Sequence, residues 1–250
     1  MRVERQAKNS RGSAAARGPQ MKEAVYNGTL GWALYSEHYE AAMSRKPSGP
    51  RLKAEAYTQW ETGVAAPSSA CGPATMAALL EYWHSHKGRV FVPGFRHFGS
   101  KAAHINYIYT HHGGTPWGMS VRSFVRGLRA YIRQAAPPGD DRNRRVKVSV
   151  FNDIGRYRAE IDAARPVALK FDKWFSFRWR GSYVYDYHWV LGIGYEDQAD
   201  GSCALVVHDN GVRHPGGAYT PGRERQISYT ANTSILTMVS LDLPGSQEVP

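Results

Sequence analysis

At 250 residues the chain is long enough to bury a core of its own, and its apolar (42%) and charged (21%) fractions are ordinary for a globular protein. No apolar run approaches the roughly 18 residues of a membrane span, and two cysteines set no disulfide framework. The formal net charge of +11 attracts acidic partners at long range, but the basic residues are scattered and no nucleic-acid-binding motif accompanies them, so no specific nucleic-acid partner is predicted.

Residues 1–20 are rich in Arg, Ser, Gly and Ala with hardly any large apolar side chain. Such a segment cannot bury enough surface to offset the entropy of ordering, and it reads as a flexible basic arm or a processed leader. No apolar h-region follows its positive charges, so no secretory signal is predicted; the cytoplasm is the default location, with export by another route left open. Residues 21–54 form an N-terminal extension or linker. Leu30, Trp32, Leu34 and Tyr35 suit either a short helix or an extended arm, and Ser44-Arg-Lys-Pro-Ser-Gly-Pro50 breaks regular structure. Whether residues 1–54 act as a pro-segment stays open, as does the oligomeric state.

The body of the chain is predicted over 55–242. Pro73 suits the first position of a helix on which Met76, Leu79, Leu80 and Trp83 recur on one face. Cys71 then stands at the mouth of that helix, where unpaired N–H groups and the helix dipole favour negative charge. Gly88 to Gly99 reads as a loop-rich bridge, and His84, His86, His111 and His112 lack metal-ligand spacing, so solvated or packed histidines are expected. Val121, Phe124, Val125, Leu128, Tyr131 and Ile132 follow a helical period, with Arg122, Arg126, Arg129 and Arg133 on the wet face, until Pro137-Pro138-Gly139.

Val146, Val148 and Val150 alternate as a strand, and a second helix carries Ile154, Tyr157, Arg158 and Ile161 in register. Val167, Leu169 and Phe171 alternate next. An aromatic stretch around Trp174–Trp179 and Tyr183–Tyr187 then reads as a hairpin, with sheet packing favoured over a substrate wall. Tyr187-His-Trp-Val-Leu-Gly-Ile-Gly-Tyr195 is a buried strand bearing His188; its Gly192-Ile-Gly194 opens no helix, so it binds no phosphate and is kept bare for a close approach. Ala204-Leu-Val-Val-His-Asp-Asn-Gly211 is a strand ending in Asp209, with Cys203 as packing just before it. Strands around Gln226–Tyr229 and Ser234–Leu241 close the sheet, and 243–250 is a tail.

Acyl transfer by a thiol needs a nucleophile, a base, a group that orients the base and a donor for the oxyanion. The chain offers Cys71, His188, Asp209 and, twelve residues before the cysteine, Gln59. A Cys71–Cys203 bridge is compatible with the cysteine count and would remove the nucleophile. In order and wording, Cys71-Gly-Pro-Ala-Thr, Ala164-Arg-Pro-Val, Tyr187-His-Trp-Val-Leu-Gly-Ile-Gly-Tyr and Val207-His-Asp-Asn resemble the papain-like cysteine peptidases. The likeness is to the bacterial "peptidase C thirty-nine-like" group, relatives of the double-glycine leader peptidases. It spans about residues 55–242, with a longer Gln-to-Cys interval than papain's and Ala70 where relatives often carry glycine.

The resemblance implies an α+β, papain-like fold, its N-terminal helical part carrying the nucleophile at a helix start and packed on a C-terminal antiparallel β-sheet. It also implies a cysteine peptidase that cleaves a peptide or isopeptide bond in a peptide or protein substrate, without cofactor or metal. Cys71 is then the nucleophile, His188 the base, Asp209 the orienter and Gln59 the oxyanion donor. A thiol acyltransferase, deamidase or transglutaminase-like enzyme on the same site, or a catalytically inactive papain-like binding module, are the alternatives.

Overall fold

Among the described residues, helices dominate the first part of the chain and strands the second. A computed structural model describes residues 49–89, 91–136, 146–178, 180–213 and 218–243. The chain divides into two units, Met1–Lys46 and Pro47–Pro250, and every described residue falls in the second. The basic arm 1–20, most of the extension 21–54, the Pro137-Pro138-Gly139 stop and the tail after Leu243 lie outside the described residues.

A 3-10 turn at Pro67–Ser69 leads into α1 (Cys71–Ser85), followed by α2 (Phe95–Phe98), α3 (Lys101–His111) and α4 (Val121–Ala135). Then come β1 (Lys147–Phe151), α5 (Ile154–Asp162), β2 (Val167–Asp172), β3 (Tyr187–Asp197), β4 (Cys203–Asp209), the short pair β5 (Val212–Arg213) and β6 (Tyr219–Thr220), β7 (Glu224–Ser228), α6 (Tyr229–Asn232) and β8 (Leu236–Asp242). Six strands make one sheet in the order β1-β8-β2-β3-β4-β7, antiparallel at every pairing. The protein is therefore a mixed helix and antiparallel-sheet fold.

Strand alternation divides the core into two layers. Ala168, Trp189, Leu191, Ile193, Val206, Val239 and Leu241 face α1 and α4, whereas Val167, Leu169, Phe171, Val190, Leu205, Val207, Ile227 and Met238 face Tyr157 and Ile161 of α5. Both faces of the sheet are covered, which is why β2 is buried at all six positions rather than at every second one. Helix α1 departs from expectation in the same way. It is buried from Cys71 through Trp83, because the sheet lies against one side and helices α3 and α4 against others. It also starts two residues earlier than Pro73 suggests, and proline is tolerated there because it still falls within the uncapped first turn.

Helix α3, within a stretch without an obvious period, is set by the Ser100 side chain, which accepts from the Ala103 N–H at 3.0 Å, and buries Ala102, His104, Ile105 and Ile108. Helix α4 matches its period: Phe124, Leu128, Tyr131 and Ile132 are buried, and its four arginines are exposed. The aromatic hairpin is a correction. Tyr183 and Tyr185 pack on the second core layer and Tyr187 on the first, but Trp174, Phe175 and Phe177 are 49%, 81% and 76% exposed, so sheet packing does not account for them. Gly192 confirms the close approach, since a Cβ there would lie 2.7 Å from the Tyr157 hydroxyl of α5. Ahead of residue 55, Arg51 bridges to Gly194 and the Leu52 N–H donates to the Ile193 carbonyl at 2.7 Å, so this segment runs along β3.

His104 is fully buried between two phenols, its Nε2 3.0 Å from Tyr131 Oη and its Nδ1 3.4 Å from Tyr57 Oη. Burial, helped by the nearby His97, His112 and His84, pushes its pKa down to about 3. Below pH 6.5 an unfolded chain takes up a proton that the folded ring refuses, so this stabilisation is present above pH 6.5 and is lost as the pH falls. From pH 7 to pH 5 the loss from His104 is about 2 kcal/mol. In an imidazole C2–H titration its resonance is expected to stay in the neutral position at pH 5; a midpoint near pH 6.5 would contradict the buried neutral ring.

Candidate active site

The start of α1 carries Cys71, which is 4% exposed, behind Ala70, which provides no side-chain cap. Close packing holds this helix end down: a Cβ on Gly72 would come 2.7 Å from Met119 Cβ and 3.3 Å from Trp189 Cδ1, so only glycine fits. On the sheet, Val190 pairs with Asp209 and Val207 with Arg225. Alternation then puts His188, Asp209 and Arg225 on one face. A β-bulge between Gly192 and Gly194 takes up the register shift further along β3, so the pairing at the His188 end is undisturbed.

His188 Nε2 lies 3.1 Å from Asp209 Oδ1, and the Cys71 side chain is close enough to the same imidazole to raise its pKa. Asp209 Oδ1 also accepts from the Gly211 N–H at 2.8 Å, and its Oδ2 from Arg225 Nη1 at 2.7 Å and from the Tyr185 hydroxyl. Gln59 is brought to the same neighbourhood: its N–H donates to the Asn210 carbonyl at 2.9 Å and its Nε2 to the Pro67 carbonyl at 2.7 Å, in the turn that leads to Cys71. Cys71 and Cys203 are both free thiols, so no bridge removes the first. Cys203 begins β4, buried, beside the Arg158 guanidinium and away from this cluster. Asp186 is exposed and paired with Lys173 at 2.5 Å, and it takes no part.

The cluster is built for charge. Burial disfavours the imidazolium of His188, but hydrogen bonds to Asp209 and Cys71, with the charges of both, outweigh it and raise the pKa to about 9. Burial works against the Asp209 carboxylate as well; His188, Arg225 and the Tyr185 hydroxyl overcome it and hold the group below the usual carboxylate range. At neutral pH the pair is therefore imidazolium and carboxylate.

Two side chains of the cluster carry no local sequence signal. Arg225 is 4% exposed and Tyr185 stands over the His188 ring, centroids 4.7 Å apart. Both lie in β-rich segments whose pattern reports only burial. Asn210 Nδ2 sits 2.9 Å from the Cys71 carbonyl, 2.7 Å from Thr75 Oγ1 and 2.8 Å from the Trp189 carbonyl, tying the helix start to β3. Its position next to Asp209 in the Asp-Asn-Gly turn was the available clue. Among the described residues, no group of three or more His, Cys, Asp or Glu could hold a metal ion, and no helix is long and apolar enough to cross a membrane.

No family model and no curated protein matches the chain. Among solved structures it is similar to the bromelain protease from Ananas comosus in complex with the E64 inhibitor, at 14% identity and a TM-score of 0.35, over 80% of this chain and all of that one.

Proposed function

We propose that this chain is a cysteine peptidase that hydrolyses a peptide or isopeptide bond through a thioester on Cys71. The observation that carries the reading is the buried cluster of Cys71, His188 and Asp209, in which His188 Nε2 lies 3.1 Å from Asp209 Oδ1. Cys71 attacks the carbonyl carbon; His188 gives its proton to the leaving amine, and then takes one from the water that opens the thioester. Asp209 holds the ring by Nε2, which leaves Nδ1 for the thiol and the leaving group. Gln59 Nε2 has two hydrogens, one held by Pro67, and the other serves the oxyanion together with the N–H groups at the uncapped start of α1.

The test needs no substrate. Iodoacetamide at pH 6 is expected to alkylate Cys71, located by peptide mass, because a thiolate paired with imidazolium reacts where a neutral thiol does not. In His188→Ala that rate drops about tenfold or more, while labelling of Cys203, whose neighbour is Arg158, stays the same. A Cys71 rate indifferent to His188 would mean there is no thiolate–imidazolium pair, and would favour the inactive binding module.

A further inference from the structure

The exposed flank of α4 faces β1 and the loop after β2 across an open groove of about 480 Å³. Its walls are Val121 and Val125, half-buried, with Val150 and Phe175, which are 49% and 81% exposed. Arg122, Arg126 and Arg129 also line it, and among the described residues no acidic side chain does. Arg129 reaches the Val148 carbonyl at 3.4 Å; among the described residues neither Arg122 nor Arg126 has an acidic partner. A concave apolar strip beside arginines without counter-charges leaves both its apolar area and its charge uncompensated.

We infer that this groove docks an extended peptide segment in which two acidic side chains, two residues apart, flank a bulky apolar one. The spacing follows from the helix. Arg122 and Arg126 are four residues apart, about 6 Å along the axis, and alternate side chains of an extended chain repeat at about 6.6 Å. Acidic side chains at that interval meet the two guanidiniums while the residue between them turns toward Phe175 and the valines. The groove lies at the end of the sheet that carries His188. Strand β1 ends at Phe151, in register through Met238 and Leu169 with Val190, two residues along β3 from His188. The loop that holds Phe175 leaves β2 at Asp172, opposite Tyr187. The docked segment is then part of the substrate, a conclusion that rests on the peptidase reading; the binding itself does not.

Binding is measured by fluorescence anisotropy on full-length Cys71→Ala protein, which cannot turn the probe over. The probes are fluorescein-labelled Gly-Asp-Leu-Asp-Gly-Ser and the same peptide with both Asp replaced by Lys. The acidic probe is expected to bind about tenfold more tightly or better, and R122E/R126E to reverse the preference. R133E, an exposed arginine of the same helix outside the lining, controls for overall charge and should leave the ratio unchanged. Phe175→Ala, safe for folding at 81% exposure, should weaken the Leu probe severalfold but not one with Gly in its place. Equal binding of the two charged probes, or a preference that survives R122E/R126E, overturns the groove. So does binding of phosphatidylserine vesicles that depends on Arg122 and Arg126 without any peptide preference. In the active chain, acidic-pair substrates should show a lower KM at unchanged kcat. Turnover without that difference removes the substrate role and leaves the peptidase reading standing, whereas groove binding in a chain whose Cys71 fails the alkylation test does the reverse.

Discussion

Cys71→Ala is expected to lower peptide hydrolysis by about a thousandfold or more, with His188→Ala close behind and the double variant no worse than either alone. The non-additivity follows from the arrangement, because the imidazole has no proton transfer to perform once the thiol is gone. Far-ultraviolet circular dichroism should be unchanged in Cys71→Ala: the side chain is small, and the helix start is held through the Cys71 carbonyl to Asn210 and through Gly72 packed on Met119. Asp209→Ala should cost less activity than His188→Ala, since an orienting group biases a base that remains present. Steady-state rates on a quenched-fluorescence peptide library decide the matter, and unchanged turnover in Cys71→Ala would end the enzyme reading.

Arg225→Met is expected to destabilise the fold by about 3–5 kcal/mol, the largest single effect on stability in the site. Arg225 and Asp209 are 4% and 2% exposed, and the guanidinium nitrogen is 2.7 Å from Oδ2. Removing the cation leaves a buried carboxylate with His188 as its remaining charged neighbour. Combining Arg225→Met with Asp209→Asn removes both charges and should recover part of the loss, which urea unfolding at pH 7 measures. Strictly additive costs in the double variant would mean that the two groups are not coupled, and that Arg225 is held by something other than Asp209.

Asp209 and His188 also set a pH window for the site. The folded pKa of His188 is raised to about 9, so its stabilising contribution is complete below pH 6.5 and is lost as the pH rises through 9. That of Asp209 is depressed, so its contribution is present above about pH 4 and is lost in acid. The ion pair is therefore strongest across the neutral range in which the proposed reaction would run.

Much of the frame could be read from residue order alone. The period of Phe124, Leu128, Tyr131 and Ile132 specifies α4, and the alternation of Val167, Leu169 and Phe171 specifies one face of β2, because a helix and a strand repeat their buried face every 3.6 and 2 residues. The same local logic puts Cys71 at a helix start and His188 and Asp209 on strands. Local pattern cannot say what covers the second face of an element. The full burial of α1 and β2, and the exposure of Phe175, depend on layers brought in from distant parts of the chain. Contact between Cys71 and His188, 117 positions apart, is decided by register. The pairing of Val190 with Asp209 and of Val207 with Arg225 sets three charged side chains on one face of the sheet, and a slip of one residue would turn a whole strand over. Arg225 and Tyr185 carry no such signal: Arg225 is one polar residue on β7 and Tyr185 lies two residues before β3, and only the assembled fold brings both to the carboxylate of Asp209.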